Sequence, residues 1–340
     1  MHIKTIVFAH RMKNDQVYCM YNISDVGDIL NQVPDFYEFE HKKIEKSFKK
    51  DLYYMPKVMT DRFARYVDLL SFKFFRLQTF KTMCSKFKLF KAIKKDTSAS
   101  SNIHNIKFIT DTSYISSLAR TLLGMCYKRG FYKRAHKMYK SLVQTECDFQ
   151  RNYAYFSLHY QPEATTVPLG GDYMDQAKAI EDLASILPEG YFIYVKEHPN
   201  SFGGLRSENF YQRLCNIPNL VLLDGSVENY ALMEQAKIIA TITGTVGWEA
   251  ITGGKPVITF GYAWYNNLPG VFRFPEISDI NEVINCKIDH NELEDVCSRL
   301  EQKICNVAPL WATEKKFYPE GVDRDENALK FVEIVKKMLI

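Results

Sequence analysis

A chain of 340 residues is too long for one ordinary single-core domain and fits two of typical size. Hydrophobic residues make up 46% and charged residues 25%, the balance of a globular protein, and no run approaches the roughly 20 apolar residues that cross a bilayer. The net charge of +4 conceals a block: residues 41–100 carry sixteen Lys/Arg against five Asp/Glu, which suits an anionic polymer or membrane surface, or else a solvated helical face.

The opening residues hold an apolar run too short for a signal peptide, so a cytoplasmic protein is expected. Its eight cysteines show neither CxxC nor Cys/His spacing, which points to reduced thiols and to no structural zinc. Residues 3–9 read as a buried strand, and Ser24 to Val33 as a short helix capped by Ser24 or Asp25. Residues 42–95 form a set of basic amphipathic helices. Their aromatic residues recur on one face as a core would, without any nucleic-acid motif. A polar loop over 96–105 leads to a strand at 106–110, a helix capped near Asp111, and a basic helix over 132–144.

From residue 151 strands and helices alternate. Strands are predicted at 153–158, 191–196, 220–223 and 237–242, with helices over 174–187 and 227–236 and a last helix over 325–340. The stretch Ile238 to Tyr262, IIATITGTVGWEAITGGKPVITFGY, adds a strand, a small-residue turn, a short helix and another strand. Such alternation predicts an α/β fold with a doubly wound parallel sheet in residues 151–340, after a helix-rich, basic domain in residues 1–150.

In a sheet of that kind, ligands sit beyond the carboxyl ends of the strands. Four loops there carry chemistry: Gln161 and Glu163, Lys196 and His198, Asp224, and Thr243 to Glu249. Thr243, Gly244 and Thr245 are small enough to admit a phosphate to the N–H groups of a helix start. Pro199 fixes the turn that carries His198, and Lys196 lies two residues earlier on the same side of the strand. Glu249 could accept hydrogen bonds from ribose hydroxyls. Glu163 could act as base or nucleophile, with Asp111 as a competitor better explained as a helix cap. Lys255 in GWEAITGGKP lacks P-loop spacing, and Pro256 stands where Ser or Thr would hold magnesium.

HYQPE (159–163), VKEHP (195–199) and TGTVGWEAITGGKPV (243–257) occur in this order. With them, residues 151–340 resemble the capsule polysaccharide biosynthesis glycosyltransferases, the group that includes bacterial Kdo transferases with CMP-sugar donors. The resemblance implies a GT-B-like architecture of two Rossmann-type domains. The second would hold the nucleotide sugar, with the C-terminal helix packing back, and the first would meet the acceptor. It implies metal-independent transfer without a cofactor. His198 and the Thr243 turn would lie on the CMP phosphate, with Glu163 as candidate catalytic carboxylate. A lipid-linked or polysaccharide acceptor, and a peripheral place at the inner face of the cytoplasmic membrane, are the corresponding partners, with no nucleic acid. A sugar-nucleotide epimerase, a CDP-polyol polymerase and a non-catalytic assembly partner are the alternatives on the same scaffold.

Overall fold

The structure is a computed structural model and describes residues 7–10, 17–44, 46, 133–161, 166–198, 206–307 and 323–339. Of the helices expected over 42–95, residues 42–44 and 46 are described and are not helical, because they run extended beside another helix; the rest of that stretch, the strand at 106–110, Asp111, Glu163 and Pro199 lie outside the described residues. Two compact units divide the chain: residues 1–56, 143–199 and 213–340 form the first, residues 57–142 and 200–212 the second.

The first unit is built on a six-stranded, all-parallel sheet. Its strands are β3 (Tyr153–Ser157), β4 (Phe192–Lys196), β5 (Leu220–Leu223), β6 (Ile238–Thr241), β7 (Val257–Thr259) and β8 (Val271–Arg273), in the order β5-β4-β3-β6-β7-β8. Chain order runs outward from β3 to β5, then returns to the far side of β3 at β6 and runs outward again. The sheet reverses between β3 and β6, the hallmark of a doubly wound fold. Strand β3 is buried on both faces, and Tyr153 stacks on Tyr194 of β4 with ring centroids 4.3 Å apart. The hydroxyls of this pair reach the carbonyls of Leu232 and Asp148, so two large polar side chains enter the core with their hydrogen bonds satisfied.

Helix α1 (Gln176–Ile186) follows β3. Asp175 caps it by accepting from the Ala177 N–H, while Ala177, Ile180 and Leu183 are buried on one face. Helix α2 (Asn229–Gln235) is capped by Glu228, and α3 (Thr245–Thr252) follows β6 directly. The expected strands and helices beyond residue 151 are present within a few residues. The sequence reading did not resolve β8, the short helix Ile280–Asn285, or α4 (His290–Gln302).

A second sheet joins distant parts of the chain. Strand β1 (Val7–His10) pairs antiparallel with β2 (Val17–Met20), and β2 pairs with β9 (Ile304–Cys305), placing Val17 opposite Cys305. Residues 33–44 then run beside α4. The Lys303 ammonium donates to the Val33 carbonyl at 2.7 Å and to Asp35 at 2.8 Å, while the Lys42 and Ile44 N–H groups donate to Ser298 and Glu294. The helix expected over 24–33 is a 3-10 turn, Ile23–Asp28, continued by one α turn, Ile29–Gln32. Its cap is Asn22 rather than Ser24 or Asp25, because the Asp25 carboxylate reaches back to the Asn22 N–H as a third-position side chain does. Helix α5 (Arg324–Leu339) packs through Phe331, Ile334 and Met338 against Val17, Cys19, Cys305 and Val307, leaving Val332 exposed. No helix among the described residues is long and apolar enough to cross a membrane.

The Cys19 and Cys305 thiols meet at 3.3 Å in this small core. That hydrogen bond and burial push the Cys19 thiol well above its usual range, and burial pushes Cys147 up to about 11. Thiolate is the reacting form, so alkylation of the native protein at pH 8 should label exposed Cys215 well before Cys19 or Cys147. Peptide mass spectrometry over a labelling time course checks this. Early modification of Cys19 in folded protein would contradict the buried pair.

Candidate functional site

The carboxyl edge of the large sheet gathers the chemistry at the point where strand order reverses. Beyond β3 come His159, Tyr160 and Gln161, and beyond β6 come Thr243, Gly244 and Thr245 at the start of α3. Lys196 ends β4, the neighbour of β3, and His198 follows it. These groups therefore share one edge of the sheet, the edge beyond which a doubly wound fold forms its ligand crevice.

Their local geometry shows why each is placed as it is. The Lys196 side chain is 5% exposed, and its ammonium donates to Asn229 Oδ1 at 2.7 Å, an atom that also accepts from the Tyr155 hydroxyl at 2.9 Å. Asn229 is the first residue of α2, so the strand end and the helix start are tied through one amide oxygen. Glu197 is 1% exposed and accepts from the His198 N–H at 2.9 Å, which sets the turn after the strand. The half-buried His198 ring lies 6.0 Å from the Tyr160 ring, so the loops after β3 and β4 face each other. The Gln161 amide donates to the Met174 carbonyl and draws its loop toward the 3-10 turn Gly171–Met174.

The turn before α3 is closely packed against Thr241, His159 and Tyr265. The Gly244 N–H donates to Thr241 Oγ1 at 3.2 Å, and the Thr243 N–H to His159 Nε2 at 3.4 Å. A Cβ on Gly244 would fall 2.7 Å from Thr241 Oγ1 and 3.1 Å from His159 Nε2, which explains glycine there without any backbone strain. The Gly244 carbonyl accepts from the hydroxyl of the fully buried Tyr265, whose ring lies over Gly247 one turn further on. Gly261, after β7, is equally constrained: a Cβ would meet the Leu169 carbonyl and Thr243 Cγ2 at 2.7 Å. The N–H groups of Thr245 and Val246, at the first two positions of α3, have no acceptor within the helix and are the donors a helix start offers to an anion.

The remaining predicted residues are not all at the centre. Asp224 directly follows β5, two strands and so roughly 10 Å to one side of β3. There its carboxylate accepts from the Ser226 N–H and its own N–H donates to the Gln144 carbonyl. Glu249 is 5% exposed, on the second turn of α3. Burial first, then the nearby Glu249 charge, pushes the hydroxyls of Tyr155 and Tyr265 upward. Glu249 is thus an interior carboxylate beside two tyrosines. Lys255 donates to the Ala236 carbonyl at 3.0 Å, just before β6 and β7 begin, so it belongs to the amino edge opposite the crevice. Burial lowers its ammonium pKa, and it has no phosphate role there.

His159, Tyr160, Glu197, Asn229 and Tyr265 were not singled out from sequence. His159 carries a signal in the sequence, since it opens HYQPE. Tyr265 left no local signal, because its importance lies in a contact with Gly247. Among the described residues, no group of three or more His, Cys, Asp or Glu side chains is placed to hold a metal ion.

A parallel sheet whose strand order reverses between β3 and β6, with a helix start at the reversal and a lysine and a histidine after the neighbouring strand β4, defines a doubly wound α/β protein, a class whose ligands sit beyond the carboxyl edge of the sheet. The chain belongs to the capsule polysaccharide biosynthesis protein family, whose model matches residues 94–274, just over half of it. It is 32% identical over 88 residues to the capsule polysaccharide modification protein LipA of Neisseria meningitidis serogroup B, which is 25% of this chain and 12% of LipA. LipA of serogroup A is 30% identical over 73 residues, 22% of this chain and 10% of that protein. The chain thus spans about a tenth of the length of these curated relatives. Among solved structures, the β-Kdo 2,7 transferase KpsC of Thermosulfurimonas dismutans matches at 15% identity and a TM-score of 0.32, over 53% of this chain and 54% of that one. HepE of Anabaena, solved with UDP and glucose, matches at 16% identity and a TM-score of 0.29, over 50% and 46%. Scores this low carry no weight for the fold, which rests on the sheet itself.

Proposed function

We propose that the protein is a glycosyltransferase of capsule or surface polysaccharide assembly. It takes a sugar, with Kdo the leading candidate, from a CMP-linked donor and passes it to a lipid-linked or saccharide acceptor. One observation carries this: the start of α3 stands at the strand-order reversal, on the same sheet edge where β4, on the other side of β3, ends in Lys196 and leads to His198, which is the chemistry a nucleotide phosphate requires. Family membership supplies the polysaccharide context.

In this proposal the donor phosphate lies against the N–H groups of Thr245 and Val246, near Thr243 and Gly244. Negative charge develops on that phosphate as the glycosidic bond breaks. Donors already held in place stabilise it more than mobile water could. His198 would donate to the departing phosphate and Lys196 would add positive charge through the same edge. Glu163 would serve as base toward the acceptor or as nucleophile toward the sugar. Gln161 and, at its outer end, Asp224 would complete the proposed donor site, while Glu249, 5% exposed within α3, would support it from beneath rather than meet the ribose hydroxyls. A GT-B pairing would bring the acceptor from a second Rossmann-type domain.

Calorimetry of the full chain with CMP, CDP and UDP tests the proposal. Binding of CMP in preference to UDP is expected. Preference for UDP, with turnover of a UDP-sugar in the absence of acceptor, would replace the transferase with an epimerase. Preference for CDP would favour the polyol polymerase, and binding of none of the three would favour a non-catalytic assembly partner.

A further inference from the structure

The group that shapes the turn before α3 is not one of those proposed to touch the donor. His159 is 7% exposed, two residues beyond the end of β3. Its backbone is clamped at two points by one side chain. The His159 N–H donates to Gln176 Oε1 at 2.8 Å, and the Gln176 amide nitrogen donates back to the His159 carbonyl at 3.2 Å. Gln176 is the first residue of α1 and is itself 2% exposed. The clamp fixes the direction in which the imidazole leaves the chain.

That direction is across the reversal point, onto the loop of β6. Nε2 lies 3.0 Å from Thr241 Oγ1 and accepts from the Thr243 N–H at 3.4 Å. A nitrogen that accepts from an N–H carries a lone pair, so the ring proton belongs on Nδ1. In that tautomer the single Nε2 lone pair is shared between the Thr243 N–H and the Thr241 hydroxyl, whose oxygen accepts from the Gly244 N–H, 3.2 Å away. One imidazole nitrogen thus takes up the Thr243 N–H directly and organises the Gly244 N–H through Thr241.

We propose that His159 is a positioning residue: its neutral Nδ1–H tautomer locks the Thr241–Gly244 turn, so that the start of α3 is already shaped when a nucleotide phosphate arrives. This deepens the donor-site proposal above and rests on it. A turn held in its bound form before binding spares the ligand the cost of ordering it. Replacing the ring by an apolar group leaves the Thr243 N–H and Thr241 hydroxyl without their acceptor in a buried place. Glutamine can present Oε1 close to where Nε2 stood, so it should restore what leucine loses.

Two measurements on the full chain test this. In the first, histidine-selective 15N NMR should show His159 as the neutral Nδ1–H tautomer near pH 7, with Nε2 as acceptor. The Thr243 and Gly244 amides should be protected from exchange in wild type and lose protection in His159→Leu. In the second, calorimetric CMP affinity should fall roughly tenfold to a hundredfold in His159→Leu and recover to within about threefold of wild type in His159→Gln. An Nε2–H tautomer, or equal CMP affinity in wild type and His159→Leu, would overturn the proposal. If His159→Leu does not fold, the wild-type tautomer and the affinity of His159→Gln decide it. If wild type binds no nucleotide, the donor-site proposal fails, while the tautomer and amide exchange still decide whether His159 locks the turn.

Discussion

His198→Ala is expected to lower the transfer rate by a factor of about 10² to 10³ while leaving the melting temperature near that of wild type. The fold should survive because what fixes this turn is the backbone, whose His198 N–H is held by Glu197. The imidazole itself is only half-buried and meets the Tyr160 ring at its edge of the crevice. The rate should fall because a donor aimed at a leaving phosphate is used most in the transition state, when charge develops there. The loss should therefore appear in kcat more than in KM. Initial rates with a CMP-sugar donor and a capsular saccharide acceptor, beside a thermal melt, measure both. Near-normal turnover by a folded variant would remove His198 from the mechanism. A rise in KM with kcat unchanged would make it a ground-state binding group.

Gly247→Ala should be the most damaging single-methyl change in the crevice wall. A Cβ there would stand 2.4 Å from the Tyr265 hydroxyl and 2.7 Å from two ring carbons, inside any permitted contact. Neither side can yield cheaply. Gly247 lies within α3, and Tyr265 is fully buried with its hydroxyl bonded to the Gly244 carbonyl. Overpacking of this kind costs about 1–3 kcal/mol, which for a chain of this length corresponds to a drop of roughly 1–4 °C in Tm. Because moving Tyr265 also disturbs Gly244, CMP binding should weaken with stability. Circular-dichroism melts and calorimetry of the variant check this, and an unchanged Tm would show that the Tyr265 ring does not pack over α3.

The core of the fold was legible because parallel strands announce themselves as apolar runs. YAYFS, FIYVK, LVLL and IIAT are short and separated by helical periods, and all four became strands. The carboxyl-edge loops followed from that alternation, which is why Lys196, His198 and Thr243–Thr245 could be named in advance. Asp224 was read onto the same edge. The pairing order then put it two strands from β3, a displacement no single-strand pattern carries. Glu249 had the ambiguity of any helical glutamate, and only the packing of α3 showed it to be interior. The 24–33 turn is hidden from the sequence because Asp25 has the chemistry of a cap, whereas its carboxylate accepts from the N–H of Asn22, three residues before it.

The sequence by itself determined the α/β alternation, the placing of small and charged residues at strand ends, and the motifs that align the chain with capsule polysaccharide proteins. These depend on local periodicity and turn chemistry, which neighbours in the chain decide. The tertiary structure alone decided which strand ends become neighbours, that residues 17–44 fold against β9 and α4, and that His159, Thr241 and Tyr265 surround the turn before α3. Such contacts join positions tens to hundreds of residues apart. Their energy comes from close packing and satisfied buried hydrogen bonds, and neither leaves a periodic trace in the sequence.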